Sequence, residues 1–97
     1  MRVYWVYILK CSDNSYYTGM TSNLEQRLWD HENRKYLNSY TSTRLPVELV
    51  FIATFSEVEM AIDAEKQIKK WSRAKKEALI NEKFDLLIAL AKKKFKK

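Results

Sequence analysis

The stretch Val3-Tyr4-Trp5-Val6-Tyr7-Ile8-Leu9, followed by Ser12-Asp13-Asn14-Ser15 and then Tyr16-Tyr17-Thr18-Gly19, decides the fold. β-Branched and aromatic residues dominate the first run, which is the signature of a strand. Val3, Trp5, Tyr7 and Leu9 alternate with Tyr4, Val6 and Ile8, and both sets are apolar. A strand with two apolar faces is expected at the centre of a sheet covered on both sides. Ser-Asp-Asn-Ser is turn chemistry, because short polar side chains bond their own backbone and tolerate left-handed conformations. Tyr16 to Thr18 resumes the extended pattern up to Gly19, which predicts an antiparallel β-hairpin.

Outward from the hairpin, Ser22 and Glu25 have the spacing of a capping box, in which two side chains satisfy orphan N–H groups at a helix start. The helix is expected to reach about Arg34, with Leu24 and Leu28 on its inner face. Residues 35–44 are polar and irregular. After Pro46, the run Val47, Leu49, Val50, Phe51, Ile52, Ala53 and Phe55 predicts a third strand. Ser56 and Glu59 repeat the capping-box spacing, and Met60, Ala61, Ala64, Ile68 and Trp71 stripe a second helix. Ser72 is expected to cap a short helix through Ile80. Phe84, Leu87, Ile88, Ala91 and Phe95 stripe a last one after Asn81. The order ββαβααα describes an α+β fold, a three-stranded, mainly antiparallel sheet flanked by helices. Strand order does not follow from pattern. With no linker, repeat or composition break, residues 1–97 are expected to form one domain, its core at about 4–80 and a C-terminal helix with a Lys-rich tail at 81–97.

Composition narrows the function classes. The 97 residues are 46% hydrophobic and 13% aromatic, too apolar for a disordered tail. One His and one Cys cannot build a zinc centre, and one Cys closes no internal disulfide. Cys11, at a strand end, reads as a small buried hydrophobe. No apolar run approaches the roughly 20 residues of a membrane span and the start is not a signal peptide, so a cytoplasmic protein without membrane association is expected. The net charge of +6 makes nucleic acid the first partner to test. The charge is uneven: residues 1–48 carry a net +1 and residues 49–97 a net +5. One cluster, Lys66 to Lys76, is interleaved with Ile68 and Trp71 and so belongs to a folded helix. It reads as a polyanion-facing surface or as a solvated helix face. The other, Lys92 to Lys97, reads as a solvated helix end.

Chemistry is confined to a few residues. The single glycine excludes a glycine-rich phosphate loop. Tyr7 and Tyr17 stand on the two hairpin strands. Arg27 and His31, spaced i, i+4, share a helix face at one edge of the Leu24/Leu28 stripe. Glu65 sits at the edge of the Ala61/Ala64/Ile68 stripe. Each has an ordinary reading on its own: Tyr7 as core with its hydroxyl satisfied, Arg27 and Glu65 as surface charges, His31 as a helix-to-sheet hydrogen bond. Only one of Tyr16 and Tyr17 can face the core.

The ordered set Val6-Tyr7-Ile8, Tyr17-Thr18-Gly19, Arg27, His31 and Glu65 resembles the GIY-YIG nuclease domain. Val6-Tyr7-Ile8-Leu9, Leu45-Pro46-Val47-Glu48-Leu49 and Ser72-Arg73-Ala74-Lys75-Lys76 resemble its small single-domain bacterial members. The resemblance spans about residues 4–80. It implies a metal-dependent endonuclease acting on DNA, with Tyr7, Tyr17, Arg27, His31 and Glu65 in its site. Glu65 is the implied ligand of a single Mg²⁺ or Mn²⁺ ion. Arg44, Lys69, Lys70, Arg73, Lys75 and Lys76 are candidate phosphate contacts. The residue types suit the chemistry. Arg27 offers a cationic fork for phosphate oxygens, and Glu65 is a hard oxygen ligand. A tyrosine is a poor base at neutral pH unless cations lower its pKa. Tyr17 is preferred over Tyr7 as the residue that activates water.

The sequence departs from the family pattern at three places. Trp5 replaces the first motif's glycine and Thr18 the second motif's isoleucine, and Met20 and Thr21 stand where some members carry a lysine. Glu57 and Glu59 compete with Glu65 for the metal role. Without an added DNA-binding domain, substrate choice must come from the domain itself, a homodimer or an accessory protein. Two other readings stand beside the nuclease: a nucleic-acid-binding module without turnover, and a protein-interaction domain using Trp29 and the C-terminal helix.

Overall fold

The computed structural model describes residues 2–33 and 39–81. Its elements in chain order are β1 (Tyr4–Lys10), β2 (Tyr16–Thr21), α1 (Leu24–Glu32), a 3-10 turn (Tyr40–Thr43), β3 (Glu48–Phe55), α2 (Val58–Lys70) and α3 (Arg73–Asn81). The α+β fold is that expected from the pattern: one three-stranded antiparallel sheet with helices packed on it. The stripe at Phe84–Phe95 lies outside the described residues.

Pairing places β1 at the centre, in the order β2-β1-β3, with both pairs antiparallel. Burial explains that position. Val6, Tyr7, Ile8 and Leu9 are all buried, so β1 is covered on both faces. Ser12–Ser15 make the hairpin turn with Asn14 at φ 68°, a left-handed position that asparagine tolerates. The Asp13 carboxylate accepts from the Ser15 N–H at 3.0 Å.

Strand alternation gives the sheet two different sides. Val6 and Ile8 join Phe51, Ala61 and Ile68 in the core cluster, against α2. Tyr16, Met20, Ala53, Phe55, Trp71, Leu79 and Ile80 pack around it, so α3 closes the same layer. Thr18 lies on this side too. It is buried, and its hydroxyl has no hydrogen-bond partner among the described residues. Tyr7 and Leu9 point to the opposite side, where Tyr7 meets His31 of α1.

Three local expectations are corrected. Helix α1 is capped by Asn23, whose Oδ1 accepts from the Gln26 N–H at 3.1 Å, and not by the Ser22/Glu25 box. Thr21 fixes this start by accepting from the Asn23 N–H, so the cap falls one residue later on an equally good capping side chain. Helix α2 begins after Glu57 without any side-chain cap, so Ser56/Glu59 is not a capping box either. Finally, Leu24 and Leu28 are only half-buried, whereas Asp30 and His31 are the buried residues of α1. The helix turns its polar edge inward because it faces the 3-10 turn and the tyrosines, not an apolar layer. Two smaller expectations agree with the structure. Ser72 caps α3 through the Lys75 N–H, and Cys11 is buried.

Candidate active site

The site grows out of one cross-strand pair. Tyr7 on β1 lies opposite Gly19 on β2. A Cβ added at Gly19 would stand 3.0 Å from Tyr7 Cε2 and closer still to Cζ and Oη. The phenol therefore lies across bare backbone, and no larger residue fits beneath it. Tyr17 pairs with Leu9 and emerges on the same side, its ring centroid 6.4 Å from that of Tyr7. Tyr16 faces the other way, into the α2/α3 layer.

Helix α1 brings His31 edge-on to both tyrosines, with centroids 5.9 Å from Tyr7 and 5.2 Å from Tyr17. His31 Nε2 lies 2.9 Å from Tyr7 Oη in a buried hydrogen bond. His31 Nδ1 lies 2.7 Å from Thr41 Oγ1, also buried. The 3-10 turn contributes a second contact, because Tyr40 stacks on Tyr17 at 6.0 Å. The Arg44 guanidinium covers that stack, 3.9 Å from the Tyr40 centroid.

Burial sets the protonation states. Loss of hydration pushes the Tyr7 phenol well above the ordinary tyrosine range. Tyr17, Glu65 and Asp30 push in the same direction, while the Arg27 cation opposes them. Burial also holds His31 below the usual histidine range; Arg27 adds to the effect and Asp30 opposes it. At neutral pH the pair is thus a protonated phenol beside a neutral imidazole.

Arg27 and Glu65 are tied to this cluster by charge, since both act on the Tyr7 phenol. Glu65 is half-buried, with 21% of its side chain exposed, and pairs with Lys69 Nζ at 3.4 Å. Glu57 and Glu59 are exposed at the start of α2. Among the described residues no three His, Cys, Asp or Glu side chains gather at one point. A single carboxylate suits a hard divalent cation that keeps most of its waters, and Glu65 fits Mg²⁺ or Mn²⁺ on that ground.

The candidate phosphate contacts separate into groups. Arg44 donates from Nε to Asp13 at 3.0 Å and from Nη1 to the Tyr40 carbonyl at 2.7 Å, so it ties the hairpin turn to the 3-10 turn beside the site. Arg73 lies over the Tyr16 ring, pairs with Glu77 at 3.2 Å and donates to the Asn14 carbonyl. That places it on the sheet side opposite Tyr17. Lys75 lies over Trp71. Lys69 adjoins Glu65, Lys70 is exposed, and Lys76 is depressed by burial and by the like charge of Lys69.

Tyr40, Thr41 and the steric role of Gly19 are the parts of the site that pattern reading did not identify. The only local signal was a hydroxyl-rich segment, Ser39-Tyr40-Thr41-Ser42-Thr43, in what reads as irregular chain.

Two motif tyrosines on a hairpin, a helix arginine and histidine, and a glutamate on the following helix define the class. Residues 3–78 match the family model of the GIY-YIG catalytic domain, and the chain belongs to that family. Its relatives are the small UPF0213 proteins. It is 46% identical over 78 residues to the UPF0213 protein of Syntrophus aciditrophicus, covering 80% of this chain and 90% of that one. It is 44% identical over 80 residues to the UPF0213 protein YazA of Bacillus subtilis, covering 82% and 80%. The solution NMR structure of the UPF0213 protein BH0048 from Bacillus halodurans matches with a TM-score of 0.56 at 40% identity, over 84% of this chain and 85% of that one. The fold is thus of the nuclease type, and GIY-YIG domains generally act on DNA with a divalent metal. The UPF0213 designation names no reaction.

Proposed function

We propose that the protein is a DNA endonuclease that hydrolyses phosphodiester bonds with a divalent metal, Mg²⁺ or Mn²⁺, and that Tyr7, Tyr17, Arg27, His31 and Glu65 form its catalytic site. The observation that carries this reading is the buried Tyr7–His31 hydrogen bond on the same sheet side as Tyr17, within the electrostatic reach of Arg27 and Glu65. Phosphodiester hydrolysis needs an activated water, a counter-charge for the phosphorane and help for the leaving oxygen. Arg27 binds the phosphate oxygens with its planar fork. Tyr17 is the residue that meets the attacking water: it is half-buried and within reach of solvent, whereas Tyr7 is 1% exposed with its hydroxyl engaged by His31. The Tyr7–His31 pair holds a protonated phenol beside a neutral acceptor and fixes the wall against which Tyr17 packs. Glu65 holds the cation, which supplies Lewis-acid stabilisation of the phosphate charge when bound.

DNA is the proposed substrate, docked foremost by Lys69, which pairs with Glu65, and by the exposed Lys70 that follows it. The test is nicking of plasmid and branched DNA with Mg²⁺. Arg27→Ala and Glu65→Ala are each expected to lower the rate by about 10²–10³-fold. Tyr17→Phe is expected to lower it by about 10²–10⁴-fold. Nicking that survives Arg27→Ala and Glu65→Ala together would place the activity elsewhere. Salt-dependent DNA binding without nicking under either metal would establish the binding-module reading instead.

A further inference from the structure

We infer that Thr41 is a positioning residue of the site: its side-chain oxygen accepts from His31 Nδ1–H and thereby keeps Nε2 as the acceptor of the Tyr7 hydroxyl proton. This inference rests on the Tyr7–His31 pair being part of the catalytic site. Thr41 is 0% exposed, and it reaches His31 from a separate element, the 3-10 turn between α1 and β3. Its Oγ1 lies 2.7 Å from Nδ1, while Tyr7 Oη lies 2.9 Å from Nε2. A neutral imidazole has one donor and one acceptor nitrogen, so the two bonds cannot run in the same sense.

Two arrangements are open in principle. In one, Thr41 donates to Nδ1 and Nε2–H donates to Tyr7. The Tyr7 hydroxyl proton, on a side chain 1% exposed, then has no acceptor among the described residues, which is costly. In the other, Tyr7 donates to Nε2, and Nδ1–H donates to Thr41. The Thr41 proton then turns toward Ser39 Oγ, 3.5 Å away, and both imidazole nitrogens and the Tyr7 hydroxyl proton have partners. A phenol is also a much stronger donor than an aliphatic alcohol, so the more basic partner is matched to the more acidic one. The second arrangement prevails. Depression of His31 and elevation of Tyr7 keep the imidazole neutral and the phenol protonated in either arrangement, so hydrogen-bond geometry makes the choice.

The experiment reads the two imidazole nitrogen shifts of His31 by ¹⁵N NMR at neutral pH, in the full chain. Wild type is expected in the Nδ1–H tautomer. Thr41→Val, which keeps the branched shape and removes the oxygen, is expected to lose that preference, and Thr41→Ser to restore it. In nicking assays Thr41→Val is expected to lower kcat about 10–100-fold, as loss of an orienting partner typically does, with Thr41→Ser near wild type. A wild-type His31 in the Nε2–H tautomer overturns the inference without any variant, so it stays testable if Thr41→Val does not fold. A folded Thr41→Val with unchanged nitrogen shifts overturns it as well. Absence of nicking in wild type would strike the nuclease reading alone, since the nitrogen shifts decide the tautomer independently.

Discussion

Tyr7 and Gly19 act as one device. The chain has a single glycine, and it stands where a phenol must cross the neighbouring strand, at ordinary φ. The reason is therefore space and not backbone freedom. Gly19→Ala drives a methyl group into the buried Tyr7 ring and forces it to shift. It is expected to destabilise the protein by about 1–3 kcal/mol, the usual result of overpacking. Because the ring must move off His31, the same variant should also alter the His31 nitrogen shifts. A denaturation midpoint equal to wild type would show that Tyr7 does not lie where the structure places it. At this scale the sequence was partly legible. Family order selects Tyr7, Tyr17, Arg27, His31 and Glu65 as the candidate set, and of these the fold brings Tyr7, Tyr17 and His31 into contact. Tyr40 and Thr41 were not, because nothing in a hydroxyl-rich loop distinguishes a buried threonine from an exposed one.

Among the elements, strands were read more accurately than helix starts. The hairpin was legible because side-chain alternation and turn residues are local and redundant along seven or eight positions. A helix start depends on one or two hydrogen bonds, and several adjacent residues can make them. Ser22 and Asn23 both suit an N-cap, and the choice fell to Asn23 through its contact with Thr21. Asn23→Ala is expected to cost about 0.5–2 kcal/mol in urea denaturation, whereas Ser22→Ala should be close to neutral. The reverse order of effects would restore the Ser22 box. Helix α1 also shows why a stripe of leucines can mislead. Its buried residues are Asp30 and His31, since the surface it meets is the polar site. The opposite flank leaves Trp29 54% exposed beside Leu28, Glu25 and Glu32, a groove that the DNA reading does not use.

At the scale of the whole molecule, the sheet separates an apolar layer under α2 and α3 from a polar one under α1 and the 3-10 turn. Burial of His31 in the second layer has a consequence for stability. Its pKa is lowered on folding, so below about 6.5 the unfolded chain binds more protons than the folded one. Stability is therefore complete above that pH and falls as pH drops through the window, by at most about 1.4 kcal/mol per pH unit for one group. Urea midpoints at pH 7.5 and 5.5 should differ in wild type, and the difference should shrink in His31→Gln. Equal midpoints in wild type would mean that His31 is as free to ionise in the folded state as in the unfolded one. The basic residues are likewise sorted only by the fold. Arg44 and Arg73 pin the hairpin turn from two sides, through Asp13 and the Asn14 carbonyl, while Lys70 stands exposed on α2. By itself the sequence determined the element order, the central strand, the tyrosine pair on a hairpin and the family, because these follow from short-range periodicity and ordered motifs. Tertiary structure alone decided which groups meet. The Tyr7–His31 bond joins residues 24 apart and the Arg73–Asn14 bond residues 59 apart, and burial on closing those distances sets protonation and pairing.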